Sequence, residues 1–263
     1  YQNEFNIKLE EAQDNLIMRN SYASLHEQQW KDLPSVFIKG EKVPTWLQIL
    51  LSQFKVYHFH DAGDKSPMKG WSKLHDNTFL RYDGENIAAF LYFLQEKHPK
   101  HFKRIEMNVK AVSPFFDSFN LKPNRLNEET IRLEWKQKGA EDTYFNAYQL
   151  SDGTLRFICL ATLLLQPEPP QTIIIDEPEL GLHPQAINRL ATLIKKVSTK
   201  SQVIISTQSV NLVDNFDADD IIAVDMKDHA SCFRRLNKAN LSVWLDEYST
   251  GELWEKNLIG GQL

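Results

Sequence analysis

The stretch Thr172-Ile-Ile-Ile-Asp176-Glu177-Pro178 ends an apolar, strand-like run in two adjacent carboxylates. In an open parallel sheet, ligands gather at the carboxyl ends of the strands, which is where such a pair would sit. A phosphate-hydrolysing site needs one carboxylate to hold hydrated Mg²⁺ and another to orient the attacking water. Asp176 suits the first role and Glu177 the second. Taken alone, the same residues equally describe a buried strand that ends in a solvated acidic turn.

Two further segments shift that balance. Upstream, Leu150-Ser151-Asp152-Gly153-Thr154 directly precedes an apolar helix. Ser151 can cap that helix, and the free backbone N–H groups there form an anion site suited to a terminal phosphate. A plain helix cap is the simpler reading of this segment by itself. Downstream, a second apolar strand ends in Ser206-Thr207-Gln208-Ser209. A polar side chain at that strand end would face the same crevice as Asp176, although a turn after a buried strand explains it too.

The elements that must position these residues are readable from periodicity. From Ser151 onward the chain alternates helix (154–166), strand (172–175), helix (184–197), strand (202–206) and a third apolar strand (220–225). Ala186, Ile187, Leu190, Leu193, Ile194 and Val197 share one helical face, so that helix packs on a sheet. Near-continuous apolar strands between helices indicate a parallel α/β sheet. The first part of the chain reads differently. It has a strand-like Phe5 to Leu9, a helix over 45–54, a strand over 55–59 and a polar loop. Helices follow over 86–96 and 100–112, the second stopping before Pro114. Short alternating strands lie over 131–136 and 144–150. These features divide the chain near residue 150, with a helical and antiparallel part (1–150) before an α/β lobe (151–263).

In this order and spacing, the three segments resemble the signature, Walker B and switch segments of the ATP-binding-cassette class of ATPases. The resemblance is to the RecF/SMC-like branch and its bacterial predicted ATPases, on Leu-Ser-Asp-Gly-Thr-Leu-Arg-Phe (150–157) and Asp-Glu-Pro-Glu-Leu-Gly-Leu-His-Pro (176–184). Val-Tyr-His-Phe-His-Asp (56–61), the segment 82–91 and the closing Tyr-Ser-Thr-Gly-Glu-Leu-Trp (248–254) extend it over residues 55–263. It implies a P-loop NTPase fold with ATP and Mg²⁺ as cofactors. Asp176 would support Mg²⁺, Glu177 would position the hydrolytic water, and Ser151, Asp152 and Gly153 would reach the terminal phosphate of ATP held by the opposite protomer. Residues 180–184 would form the D-loop analogue at the interface of a nucleotide-sandwich homodimer. The cycle would drive DNA work or an effector such as a nuclease, in DNA repair or phage defence.

The sequence departs from that pattern twice. Gln208 stands where many members have a switch histidine; it can donate a hydrogen bond but cannot carry charge, which implies slow hydrolysis. No Gly-x-x-x-x-Gly-Lys-Ser/Thr loop occurs. The nearest text, Ala62-Gly63-Asp64-Lys65-Ser66, places an aspartate where glycine must let backbone N–H groups wrap phosphate. The family keeps that loop near its N-terminus, and this sequence opens abruptly on Tyr1, so it reads as a trimmed chain that is inactive alone. The rival reading is a degenerate, non-catalytic scaffold.

Composition sets the remaining bounds. The 263 residues carry a net charge of -5, which argues against a chain coated in positive charge for nucleic acid. Lys97, Lys100 and Arg104 fall near one helical face and offer a local phosphate contact, though a solvated face explains them as well. The two cysteines, Cys159 and Cys232, have no metal-ligand spacing and fit free thiols in a reducing cytoplasm. No apolar run reaches the roughly 20 residues that cross a bilayer. His58 and His60, at i and i+2, share one face of a strand and suit a metal, and a metal-dependent hydrolase built on them is a further alternative. The sequence offers no obvious third ligand. His183 and the closing apolar residues Trp244, Leu245, Trp254, Leu258 and Ile259 read as structural.

Overall fold

A computed structural model describes residues 37–38, 41–42, 54–140 and 143–261. The strand-like Phe5 to Leu9 and the helix over 45–54 lie outside the described residues, except Phe54. The chain divides into two compact units, Tyr1–Gln53 and Phe54–Leu263. In the first unit, β1 (Phe37–Ile38) pairs antiparallel with β2 (Glu41–Lys42).

The second unit is organised by a three-stranded parallel sheet. Its central strand is β9 (Thr172–Asp176), flanked by β3 (Phe54–Tyr57) and β10 (Gln202–Ser206). Its order is β10-β9-β3, so a strand from early in the chain lies directly beside the acidic strand. The register sets Tyr57 opposite Ile175 on one side, and Ser206 opposite Asp176 on the other. Side chains alternate across a strand. Ile173, Ile175 and Tyr57 are buried, while Val56 and Ile204, beside Ile174 on the other face, are 40% and 43% exposed. The strand over 202–206 is therefore covered on one face only among the described residues, rather than buried on both.

One face of this sheet packs on two helices. In α3 (Asp152–Leu165), Leu155 and Phe157 to Leu165 are all buried. Against it packs α4 (Pro184–Val197), whose buried residues are the expected face with Ala191 added. Pro184 sits at the first helical position, where its missing N–H costs nothing. The preceding helices α1 (Ile87–Lys97) and α2 (Pro99–Val112) complete the core, with α2 on α3. The basic residues Lys97, Lys100 and Arg104 are exposed.

Antiparallel pieces surround this core. β4 (Trp71–Lys73) pairs with β6 (Thr130–Arg132), and β5 (Phe116–Phe119), β7 (Glu134–Gln137) and β8 (Tyr144–Asn146) form a three-stranded sheet. The single strand expected over 131–136 is thus two strands of different sheets, which turn about the buried Leu133. The expected strand over 220–225 is also different. It is β11 (Ile222–Lys227), antiparallel to β12 (Ala230–Arg235) and outside the parallel sheet. The reason is the turn: Asp228 and His229 both have positive φ, the backbone that a tight hairpin demands. A short helix, α5 (Val210–Val213), follows β10. The closing helices α6 (Lys238–Leu245) and α7 (Thr250–Glu255) cover a small second core around Ala223, Leu253 and Ile259. Leu245 and Trp254 join it, while Trp244 and Leu258 are about half exposed.

Candidate active site

The acidic pair stands at the carboxyl end of β9, where the sheet positions it. Asp176 is half-buried, and its Oδ1 accepts a hydrogen bond from Ser206 Oγ across the β9–β10 pair. Glu177 follows with φ of 38°, the left-handed region that a glutamate rarely adopts. Its N–H donates to Ser206 O at 2.9 Å, which pins the strained backbone. Strain of this kind costs about 1–3 kcal/mol and persists where the surrounding structure dictates it, often at functional sites. A small crevice beside the pair is lined by Phe59, His60, Arg156, Ile175, Asp176 and Glu177, among others. His60 Nε2 lies 2.7 Å from Asp176 O, and His58, His60 and Asp176 each offer one ligand atom within 4.8 Å of the others.

Ser151, Asp152 and Gly153 are not in that crevice. Ser151 caps α3, its Oγ accepting from Thr154 N at 3.2 Å. Ser151 and Asp152 are exposed. Gly153 lies against the loop after the acidic pair, where an added Cβ would stand 2.3 Å from Gly181 O. Gln208 is exposed beyond the end of β10. His183 caps α4 through a long 3.4 Å contact from Gln185 N.

Three further residues tie these segments together, and the sequence reading missed them. Arg156 donates from Nε to Phe59 O at 3.1 Å, from Nη1 to Leu180 O at 2.6 Å, and from Nη2 to His60 O. It thereby joins the start of α3 to the end of β3 and to the loop over 180–184. Arg156 is the only charged residue in the otherwise apolar text from Gly153 to Leu165, and that isolation was the available clue. Its planar fork reaches three carbonyls that a lysine's single ammonium could not span. Arg156→Met is expected to lower stability by about 2–4 kcal/mol, with Arg156→Lys recovering only part. Urea unfolding would measure both, and a wild-type midpoint for Arg156→Met would contradict this role.

Glu179 links the same loop to the switch segment, its Oε1 accepting from Thr207 Oγ1, while its buried Oε2 has no hydrogen-bond partner among the described residues. Burial raises its carboxyl above the ordinary carboxylate range, against the opposing pull of the Thr207 hydrogen bond. The fold therefore favours the protonated acid. Stability from this source is full below the ordinary pKa and is lost as pH rises through the raised one. Glu179→Gln should flatten that decline, so its urea midpoint should fall less steeply with pH just above the carboxylate range. Equal slopes would mean that Glu179 ionises alike in the folded and unfolded states. The third residue, Lys69, is nearly buried and pairs with the exposed Asp152 at 3.3 Å. No spacing in the sequence announces that pair.

Residues 17–214 match the protein family described as "AAA domain, putative AbiEii toxin, Type IV TA system". The energy-coupling factor transporter ATP-binding protein EcfA2 of Streptococcus agalactiae is 24% identical over 76% of the chain and 62% of its own length. A probable ABC transporter ATP-binding protein, p29 of Mesomycoplasma hyorhinis, is 30% identical over 51% of the chain and 52% of its own length. The chain thus spans less than two-thirds of these relatives. Among solved structures, an SMC head bound to the C-winged helix domain of ScpA superposes with a TM-score of 0.52. It is 22% identical and is matched over 78% of this chain and 65% of that one. Among the described residues, no helix is long and apolar enough to cross a membrane.

Proposed function

The chain belongs to this AAA-domain family and has the ABC-class, SMC-like form of the P-loop NTPase fold, and from that premise we propose that it carries the acidic, signature and switch segments of a dimeric ATP hydrolase. The observation that carries the reading is the strand register. It sets Ser206 against Asp176 and holds Glu177 in a strained backbone directly after it.

The residues present fit a cation. With Ser206 on one carboxylate oxygen, Asp176 keeps Oδ2 for a water of hydrated Mg²⁺. Bound there, Mg²⁺ would offset the negative charge that develops on the phosphate oxygens. Glu177 would orient the attacking water and accept its proton, the part of a general base. Gln208 would donate a hydrogen bond to the terminal phosphate without adding charge. No phosphate-wrapping loop occurs in this sequence, so these residues supply cation, base and switch but not that cradle.

Ser151 and Asp152 are exposed and Gly153 half-exposed, all outside the crevice, with Gly153 beside Gly181. That placement supports a role on the nucleotide of a second copy, which makes the dimer a shared site. We read the work of the cycle as driving an effector such as a nuclease, acting on DNA. DNA repair and phage defence are the two settings this reading carries. The test is ATP turnover by the full-length protein beside its Glu177→Gln variant. Turnover in the first, and ATP-bound dimers without turnover in the second, are expected. A full-length protein that neither binds nor hydrolyses ATP would overturn the reading in favour of a scaffold.

A further inference from the structure

Strand pairing brings two histidines that are near neighbours in sequence beside a carboxylate 116 residues away. β3 and β9 run parallel with Tyr57 opposite Ile175, so the next residues, His58 and Asp176, stand side by side at the strand ends. His60 returns to the same place, with its Nε2 2.7 Å from Asp176 O. One ligand atom from each of the three lies within 4.8 Å of the others. Because a carbonyl only accepts, Nε2 carries the proton and Nδ1 keeps its lone pair. Metal-bound histidines have their second nitrogen tied in this way, which fixes ring and tautomer. Ser206 Oγ does the same for the carboxylate, holding Oδ1 and leaving Oδ2 for a ligand bond.

We propose that His58, His60 and Asp176 form a site for a borderline first-row cation, Zn²⁺ before others, and that its occupancy withdraws Asp176 from Mg²⁺. Two imidazoles and one carboxylate suit Zn²⁺, whereas Mg²⁺ seeks oxygen alone. Tetrahedral bonds of about 2.0–2.1 Å put neighbouring ligand atoms about 3.3 Å apart, so the triad would draw in by at most about 1.5 Å. The exposed His58 ring is free to make that movement by rotation. Water would fill the fourth position. This is a regulatory site, not a hydrolytic one: with Zn²⁺ bound, the carboxylate proposed to support Mg²⁺ is already engaged. The regulatory half rests on the proposed ATPase, but the binding itself does not.

The experiment titrates nucleotide-free protein with Zn²⁺ against a chromophoric chelator, with Co²⁺ absorption as a probe of geometry. One Zn²⁺ per chain is expected, weakened at least about tenfold in His58→Ala and in Asp176→Asn, and kept in His229→Ala, on the exposed hairpin turn. His58 is exposed, so its replacement does not threaten the core. Failure of the wild type to bind Zn²⁺ stoichiometrically, or equal binding by His58→Ala, would overturn the site. A second arm follows ATP turnover by the full-length protein as Zn²⁺ rises. Inhibition over the binding range supports the competition, and binding without inhibition overturns it. Absence of turnover in zinc-free protein would count against the ATPase reading and leave the site standing.

Discussion

Glu177→Gln should lower ATP turnover by about 10²–10⁴-fold, the usual contribution of a positioned general base, while ATP binding is retained. The amide keeps the size of the carboxylate and one acceptor oxygen, but its NH2 is a donor and it cannot take a proton at neutral pH. The strained backbone at φ of 38° is held by the N–H to Ser206 O, which the substitution leaves in place. Stability should therefore change little, and the loss should fall on kcat rather than on KM for ATP. Dimers that form on ATP and do not dissolve are the accompanying signature. Turnover within a few-fold of wild type would assign the base elsewhere.

Gly153→Ala should be nearly as damaging, for a different reason. Its Cβ would meet Gly181 O at 2.3 Å and Gly181 C at 3.2 Å, both backbone atoms that no side-chain rotation can clear. Arg156 Nη1, from the same helix, holds the loop through Leu180 O at 2.6 Å, so moving the loop away gives up that hydrogen bond. Overpacking of this kind costs about 1–3 kcal/mol. Displacing the loop by about 1 Å would also misplace the segment proposed to meet the partner's nucleotide, with a rate loss of about 100-fold. Urea unfolding and ATP turnover would read the two effects separately. A variant with wild-type values for both would contradict the close approach of α3 to this loop.

The two effects illustrate what local sequence carries and what it does not. The amphipathic face of α4, the apolar run of β9 and the Ser151 cap are encoded within a few residues of themselves, and periodicity exposes them. The acidic pair was legible for the same reason. Pairings between distant residues were not. That β3 lies beside β9, and so brings His58 to Asp176, is decided by which strands share the core, and no short motif records it. Arg156 reads as a charge out of place until its three carbonyl partners are in position. The Thr207–Glu179 hydrogen bond joins two strand ends whose register is tertiary. The run over 220–225 misled because apolar text suits a buried parallel strand and a half-exposed hairpin alike. The Asp228-His229 turn, the one local clue, lacks the glycine that usually marks such hairpins.

One protomer's acidic pair is proposed to work with the signature segment of the other, and mixing two inactive variants separates the two contributions. Glu177→Gln removes the proposed base, and Ser151→Arg places a bulky cation at the exposed cap proposed to meet the partner's phosphate. Each homodimer has two dead sites. In a mixed dimer one site carries both lesions and the other carries neither. An equimolar mixture should regain up to about a quarter of wild-type turnover, because half the dimers are mixed and each has one intact site of two. A mixture no more active than the sum of its parents, from protein whose wild type dimerises on ATP, would contradict the shared site.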